Sequence, residues 1–305
     1  MNILVTGGAG FIGSHIVDAY LADGHQVTVV DNLSTGKRAN LNPGARFCEV
    51  DLRDAAALGA VMAGHTFDVV NHHAAQMDIR RSVADPVYDA SVNILGMLTL
   101  MEHCVRAGVR RVVFASSGGA VYGEQETFPA SESHPTRPIS PYGVAKLTTE
   151  QYLFYYATVY GVEPVALRYA NVYGPRQNPE GEAGVVAIFA TRMLKGGAPV
   201  INGDGGQTRD YVFVADVVRA NRLALKARGF RAYNVGTGVE TDVNTIFKVL
   251  REATGSTCPE THGEAKKGEQ RRSVLDCRCI GRDLGWAPEV TLKEGLRRTV
   301  EFFRH

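Results

Sequence analysis

The sequence predicts an α/β protein with a doubly wound parallel sheet, followed by a smaller C-terminal α+β domain. Short and almost wholly apolar segments recur through the first 170 residues, as strands of a parallel sheet covered on both faces do. Segments with apolar residues at helical spacing alternate with them. After residue 172 the chain changes to loops rich in glycine and proline with shorter helices.

The first strand is predicted at 2–6, and it leads through a glycine-rich turn into a helix at 11–22. Further strands are predicted at 26–31, 46–50, 67–71, 111–115 and 164–168. Helices between them are predicted at 55–62, 88–106 and 142–160. In the second part, helices are predicted at 185–194, 214–226 and 291–303, and a strand at 231–235. We expect domains at 1–172 and 173–305, with the segment around 211–238 returning to the first.

Composition excludes several classes of protein. The 305 residues carry 33 basic and 32 acidic side chains, and a net charge of +1 offers no footprint for nucleic acid or an anionic membrane. No apolar run approaches the length of a membrane-spanning helix, and the first residues do not resemble a signal peptide. The five cysteines are odd in number and scattered, which suits reduced thiols. We therefore expect a cytoplasmic protein.

The glycine-rich turn predicts a dinucleotide site. Gly7, Gly10 and Gly13 stand between the first strand and the first helix. A pyrophosphate at a helix N-terminus needs exposed backbone N–H groups with no Cβ in the way, and the last glycine lets helix and strand pack closely. Asp31 ends the second strand, where its carboxylate would bind an adenosine ribose and repel a 2′-phosphate. These features predict a Rossmann-type domain that binds NAD rather than NADP.

The G-x-x-G-x-x-G spacing resembles that of the short-chain dehydrogenase/reductase superfamily, which implies a tyrosine and a lysine four residues apart. Tyr142 and Lys146 supply this pair, after an N-cap at Ser140 and a proline at the first helical position. Both side chains would lie on one helix face, and the ammonium would favour the phenolate of Tyr142 as a base. The third catalytic group is expected to be Ser117 after the strand at 111–115, with Ser116 in support, although the two serines could exchange roles.

The whole chain resembles the sugar-nucleotide branch of this superfamily, and within it the UDP-glucose 4-epimerase family. The resemblance runs from TGGAGFIGSH and VVDNLSTGKR through SPYGVAK, LRYANVYGPRQ and NGDGGQTRDYVFVADV to DLGWAPEVTLKEGL. It implies NAD-dependent 4-epimerisation of a UDP-hexose through a transient 4-keto sugar. The implied NAD contacts are Phe11, Ile12, Asp31, Asn32, Asp51, Leu52, Ala74, Asn93, Tyr142 and Lys146. The implied contacts with the nucleotide diphosphate are Asn171, Arg209 and Tyr211, while Ser116, Ser117 and Tyr142 would lie near the sugar.

Three alternatives stay open from sequence. Dehydratases and decarboxylases share the glycine turn, but dehydratases of this branch carry an acid directly after the catalytic hydroxyl, where Gly118 and Gly119 stand. A UDP-glucuronic acid 4-epimerase needs an extra cation for the sugar carboxylate, and Arg176 is available. A non-catalytic NAD-binding regulator is disfavoured because Ser117, Tyr142 and Lys146 are all present.

Substrate breadth, metals and assembly complete the expectations. In the family, a loop carries the motif R-x-G-D, and a bulky residue four positions after its aspartate excludes a 2′-N-acetyl group. Here the corresponding loop reads KKGE at 266–269. The position four residues after the acid is therefore Ser273. The resulting prediction is that N-acetylated UDP-sugars also enter the site.

No metal is expected, because His72-His73 and the Cys277-x-Cys279 pair lack further ligands. The apolar faces of helices 88–106 and 142–160 would form a homodimer interface, as in the family, or belong to the core of one chain.

Overall fold

A computed structural model of the chain describes residues 1–180, 184–265 and 270–304. Its strands, in chain order, are β1 (Asn2–Thr6), β2 (Gln26–Asp31), β3 (Arg46–Glu49), β4 (Val69–His72), β5 (Arg111–Ser117), β6 (Glu163–Tyr169), β7 (Asn171–Tyr173), β8 (Val200–Asn202), β9 (Thr208–Phe213), β10 (Arg231–Val235), β11 (Glu240–Asp242), β12 (Thr261–Gly263) and β13 (Arg272–Ser273). Its α-helices are α1 (Phe11–Ala22), α2 (Ala55–Ala63), α3 (Ile79–Ala84), α4 (Pro86–Ala90), α5 (Gly96–Arg106), α6 (Gly118–Val121), α7 (Pro141–Tyr160), α8 (Val185–Leu194), α9 (Val214–Ala224), α10 (Val243–Thr254), α11 (Arg278–Leu284) and α12 (Leu292–Arg304).

Seven of the strands form one parallel sheet in the order β10-β6-β5-β4-β1-β2-β3. Two clusters of buried apolar side chains contain alternate residues of its strands, as expected for a sheet covered on both faces. The predicted doubly wound parallel sheet is therefore confirmed. The strand order reverses between β1 and β4, and ligands of such sheets bind at the carboxyl ends of the strands beside that reversal.

A smaller sheet lies beyond the carboxyl edge, with β9 at its centre. Strand β9 pairs antiparallel with β11 and parallel with β13 and β7, and a separate pair joins β8 to β12. Helices α8, α10 and α12 cover the small sheet, and their apolar faces share one buried cluster with it. Strand β10, by contrast, lies at the edge of the large sheet beside β6. None of the helices described is both long enough and apolar enough to cross a membrane.

Two differences from the sequence predictions affect the candidate site. Strand β5 continues through Ser117, which lies opposite Tyr169 of β6, whereas the prediction ended it at residue 115. The single helix predicted at 88–106 is interrupted, because a π-helical turn at Ser91–Leu95 separates α4 from α5. Such turns are frequent at functional sites. Here the turn contains Asn93, whose amide bonds to the neighbouring loop through Gln76.

Candidate active site

The glycine turn is built so tightly that only glycine fits at its ends. Gly7 has a left-handed backbone (φ 71°) and its N–H donates to Val30 in β2 at 2.8 Å. A Cβ there would lie 2.5 Å from the backbone nitrogen of Ala74, and a Cβ at Gly13 would overlap the carbonyl of Gly7. The turn therefore packs directly against the loop after β4, and the first turn of α1 packs directly against Gly7. This is the cradle that a pyrophosphate requires.

Asp31 lies beside the turn, at the end of β2, and is buried. Its two carboxylate oxygens accept from the backbone N–H groups of Ala9 (3.0 Å) and Leu33 (2.8 Å). Gly36 leaves room for it, because a Cβ at that position would lie 2.8 Å from one of the oxygens. Burial raises the pKa of Asp31, although the two amide donors act against that rise. The carboxylate is thus fixed in place next to the cradle.

Polar side chains in the loops around the glycine turn form hydrogen bonds and an ion pair with one another. Asn32 donates to Asp51 at 2.9 Å, and the Arg53 guanidinium beside Asp51 holds the pKa of that carboxyl well below its usual range. Asn93 accepts from the Gln76 N–H at 2.9 Å and donates to its carbonyl at 2.9 Å. These contacts fix the loops that surround the cradle. The remaining residues of the proposed NAD set in this region lie at the start of α1 and around these loops: Phe11, Ile12, Leu52 and Ala74.

Helix α7 carries the tyrosine and lysine pair in its first two turns. Ser140 caps the helix by accepting from the Gly143 N–H at 3.1 Å. Gly143 also brings α7 close to α6, because a Cβ there would lie 2.6 Å from the carbonyl oxygen of Ala120. The Lys146 ammonium lies 5.5 Å from the centre of the Tyr142 ring. The two side chains therefore face the same region, next to the residues that follow Ser117.

The surroundings of the pair favour neutral side chains. Lys146 is 4% exposed and donates to the carbonyl oxygen of Ala115 at 2.8 Å. Burial lowers the pKa of Lys146 to about 8, although the carboxylates of Asp89 and Glu150 act in the opposite direction. Burial also raises the pKa of Tyr142 above its ordinary value, and Asp89 adds to that rise. The expectation that Lys146 would lower this pKa does not hold for the chain alone, because desolvation of the phenol dominates.

The two adjacent serines of β5 occupy different surroundings. Ser116 is almost fully buried, and its hydroxyl donates to Glu150 of α7 at 2.5 Å. Ser117 is half-buried and stands at the N-cap position of α6, directly beside Gly118. Neighbouring residues of a strand point to opposite faces, so only one of the two hydroxyls can face the region in front of Tyr142.

A buried ion pair behind the site was not found from the sequence. Arg168 of β6 binds Glu150 through both its Nε (3.0 Å) and Nη2 (2.6 Å) atoms, and both side chains are almost fully buried. Arg168 also donates to the hydroxyl of Tyr122 at 2.9 Å. The missed signal is one of spacing, since Glu150 follows Tyr142 and Lys146 at intervals of four along the same helix.

The small sheet brings together four residues that were predicted to bind the nucleotide or the sugar. Asn171 of β7 lies opposite Tyr211 of β9, and Ser273 of β13 lies opposite Arg209 of β9. Arg209 and Tyr211 are two residues apart and share one face of the strand. A Cβ at Gly119 would come within 3.8 Å of the Ser273 hydroxyl, so this sheet reaches the turn after Ser117. The predicted loop motif at 266–269 lies outside the described residues.

Two further contacts bear on the alternative functions. Arg176 forms an ion pair with Asp18 of α1 at 2.8 Å, so its charge is engaged by the helix that follows the glycine turn. A Cβ at Gly118 would lie 2.6 Å from the Leu275 side chain. Any side chain at this position would therefore require the Leu275 side chain to shift.

Comparisons with known proteins agree on one family. Residues 3–236 match the NAD dependent epimerase/dehydratase family. The chain is similar to the UDP-glucose 4-epimerase of Mycolicibacterium smegmatis, with 47% identity over 312 residues that cover 100% of this chain and 99% of the relative.

Solved structures give the same result. The chain is similar to a UDP-glucose 4-epimerase from Thermotoga maritima with UDP-glucose, with a TM-score of 0.98, 50% identity and coverage of 100% and 99% of the two chains. It is also similar to the UDP-glucose 4-epimerase of Thermus thermophilus in complex with NAD, with a TM-score of 0.95, 48% identity and coverage of 100% and 99%. With most of its length matched, the chain belongs to the NAD dependent epimerase/dehydratase family.

Proposed function

We propose that the protein is an NAD-dependent 4-epimerase that interconverts UDP-glucose and UDP-galactose. The observation that carries the proposal is the placement of Tyr142 and Lys146 on α7, beside Ser117 and at the carboxyl edge of the sheet that holds the glycine turn. The relatives at 47% to 50% identity reported above match the full chain and are UDP-glucose 4-epimerases, one of them with UDP-glucose. The reaction class is therefore epimerisation of a sugar nucleotide.

In this proposal the first domain, residues 1–172 with the returning segment around 211–238, binds NAD. The glycine turn would hold the pyrophosphate at the start of α1, because Gly7 and Gly13 let the turn close tightly against the loop after β4 and against the helix. Asp31 would bind the adenosine ribose from the end of β2. NAD bound there would supply the acceptor and the donor of the hydride at carbon 4 of the sugar within one turnover.

The chain's own residues handle the proton and the developing charge. Tyr142 accepts the proton of the 4′-hydroxyl and returns it after the 4-keto sugar has exposed its other face. The Lys146 ammonium, 5.5 Å from the centre of the Tyr142 ring, would favour the phenolate together with an oxidised nicotinamide, and both would act against the effect of burial. Ser117 hydrogen-bonds the oxygen on carbon 4, while Ser116 supports it from the buried side through Glu150.

The second domain, residues 173–305, would bind the nucleotide together with Asn171. Arg209 provides a forked cation suited to a diphosphate, and Tyr211 and Asn171 lie beside it in the small sheet. Elimination is disfavoured because Gly118 and Gly119 stand directly after Ser117, where dehydratases of this branch carry an acid. Recognition of a glucuronate carboxylate is disfavoured because Arg176 is paired with Asp18.

The test is an assay of the purified protein with a panel of UDP-sugars and no added NAD, followed by chromatographic separation of the 4-epimers. UDP-glucose and UDP-galactose should interconvert without net formation of NADH, because the cofactor is reduced and reoxidised in one cycle. Acid formation that requires added NAD and gives stoichiometric NADH, or a deoxy 4-keto product, would instead identify a dehydrogenase or a dehydratase.

The geometry around Ser273 supports a broader substrate range. Ser273 is small, almost fully buried, and close to the turn after Ser117. We expect UDP-N-acetylglucosamine and UDP-N-acetylgalactosamine to be interconverted too, since room for one small substituent typically decides about 1 to 3 kcal/mol. Ser273→Tyr should remove the N-acetyl activity and retain that on UDP-glucose. A wild-type enzyme that epimerises UDP-glucose but neither N-acetylated sugar would show that Ser273 does not border the sugar.

Assembly and location form the last part of the proposal. Exposed apolar side chains follow one face of α7 at Val144, Tyr155 and Val159, and α4 packs alongside this helix with Val87 exposed. We propose that these helices pair with those of a second copy to give a homodimer.

A cytoplasmic location is proposed because all five cysteines are free thiols, the state that a reducing compartment maintains.

A further inference from the structure

One buried carboxylate lies behind the residues that are proposed to bind the nucleotide. Asp210 stands between Arg209 and Tyr211 in β9, and its side chain therefore points to the opposite face of that strand. It is only 1% exposed. On this rear face the small sheet meets the edge of the large sheet.

The Asp210 carboxylate accepts four hydrogen bonds from two separate segments. Thr237 donates to one oxygen through its backbone N–H and its hydroxyl, both at 2.7 Å. Gly238 donates to the other oxygen at 3.0 Å, and the Leu275 N–H approaches that oxygen at 3.4 Å. Thr237 and Gly238 follow β10 of the large sheet, and Leu275 lies two residues beyond Ser273.

The chain packs closely around the Asp210 carboxylate. A Cβ at Gly236 would overlap one carboxylate oxygen of Asp210 and would lie 3.0 Å from the Ala170 side chain. The backbone at 236–238 therefore approaches β9 as closely as a glycine allows. The four donors are three backbone amides and one hydroxyl, and hydrogen bonds from such groups weaken when their direction changes. Together they therefore hold β9 at one register and one angle.

We propose that Asp210 is a positioning residue for the nucleotide-diphosphate site. By joining β9 to the end of β10 and to the segment after β13, it fixes where Arg209 and Tyr211 stand relative to the NAD-binding sheet. A guanidinium that binds a diphosphate through a planar fork loses much of its effect when its direction varies. This inference rests on the proposed function, since it concerns the same substrate.

The test measures binding of UDP to the purified protein with its NAD content retained. Asp210→Asn keeps the shape of the side chain but turns a hydrogen-bond donor toward N–H groups. We expect UDP affinity to fall about tenfold or more, with NAD content and far-UV circular dichroism unchanged. Thr237→Val removes the hydroxyl that donates to Asp210 and accepts from the Val239 N–H, but keeps the backbone donors. It should weaken UDP binding in the same direction by a smaller factor, and it decides the matter if Asp210→Asn does not fold.

Asp216 provides the matched control. It is also a buried carboxylate, 2% exposed, and accepts from the backbone N–H groups of Glu289 (2.9 Å) and Val290 (3.1 Å), but it stands in α9 and not in the small sheet. Asp216→Asn should lower the melting temperature and leave UDP affinity at the wild-type value. The inference would be overturned if Asp210→Asn, Thr237→Val and wild type bound UDP with equal affinity, or if Asp216→Asn lost as much UDP affinity as Asp210→Asn. Either result would leave the proposed function intact. A wild-type protein that does not bind UDP would contradict the proposed function as well.

Discussion

At the residue scale, burial controls the protonation of the proposed base. Burial lowers the pKa of Lys146 to about 8 and raises the pKa of Tyr142, so both changes favour the uncharged side chains. The chain alone therefore keeps a proton on Tyr142 at neutral pH. The positive charge of an oxidised nicotinamide would favour the phenolate and oppose this effect. The base would then be active only in the form of the enzyme that can also accept a hydride.

Tyr142→Phe tests the base directly. The change removes one hydroxyl and should lower kcat for UDP-glucose by about 10²-fold or more, because general base catalysis typically contributes that much. NAD content and UDP-glucose binding should stay close to wild type. Tyr160→Phe is the control, since Tyr160 is an exposed tyrosine at the far end of the same helix. Comparable kcat values for Tyr142→Phe and wild type would remove Tyr142 from the mechanism.

His72 makes stability depend on pH. Burial lowers the pKa of His72 to about 3, and the nearby Lys146 charge adds to the effect. The folded protein thus keeps His72 neutral, whereas the unfolded chain binds a proton below about pH 6.5. The free energy of unfolding should therefore fall as the pH decreases from 6.5 toward 3, by up to about 1.4 kcal/mol per pH unit for this group.

The free energy of unfolding is measured in urea for wild type and His72→Asn between about pH 7.5 and about pH 4.5. This range includes the ordinary histidine pKa of about 6.5. Asparagine can replace the bond between the His72 ring and the Thr6 hydroxyl, which is 2.7 Å long. The variant should lose less stability per pH unit than wild type. His73, whose pKa is also lowered to about 3 by burial, should keep part of the slope. Parallel curves for the two proteins would contradict the assignment.

At the element scale, the buried pair Arg168 and Glu150 joins α7 to the large sheet. Glu150→Gln leaves the Arg168 guanidinium buried without its counter-charge, which should lower the free energy of unfolding by about 3 to 5 kcal/mol. The same change frees the Ser116 hydroxyl from a carboxylate, so kcat should fall as well. Chemical denaturation and the epimerase assay measure the two effects.

The other end of β6 supplies a comparison for this pair. Glu163 binds Arg111 and Arg228, but these contacts are more exposed than those of Glu150. Glu163→Gln should therefore cost no more than about 1 kcal/mol of stability and leave kcat at the wild-type value. Similar losses for the two glutamine variants would mean that the Glu150 pair contributes no more than a surface contact.

The large sheet was predictable because its strands are continuous apolar segments between helical ones. Strand β2 lies where the sequence placed it, at Gln26–Asp31. The α+β character of the second domain was predicted, but the individual strands of the small sheet were not, because β11 and β13 have only three and two residues and owe their structure to pairing with β9. Helix α10 was also missed, although its apolar residues recur at helical spacing, because it follows loops rich in glycine.

The candidate site divides in the same way. Gly7, Asp31 and the Tyr142 and Lys146 pair belong to local patterns in which neighbouring residues supply the structural context, so the sequence alone suggests them. Contacts between distant segments carry no such pattern. The pairing of Asp210 with Thr237, for example, depends on how β10 returns to the large sheet, and no spacing of residues along the chain encodes it.

At the scale of the whole molecule, the candidate site lies between two sheets that different parts of the chain complete. The large sheet contributes the glycine turn and Ser117, and the small sheet contributes Arg209 and Ser273. Their relative position depends on buried polar contacts such as that of Asp210. A change in these contacts should therefore affect substrate binding before it affects NAD binding.

The proposed homodimer makes the last prediction. Val87 on α4 and Val159 on α7 are largely exposed in the single chain, so glutamate at either position should leave the fold of one chain intact. In a two-fold interface each substitution occurs twice and places charge in an apolar contact. Light scattering after gel filtration should give twice the 33.0 kDa chain mass for wild type and one chain mass for Val87→Glu combined with Val159→Glu. Phe302→Glu, at an exposed apolar residue of α12, should remain dimeric. A wild-type protein with the mass of one chain, or a dimer that the double variant leaves intact, would show that this face is not the interface.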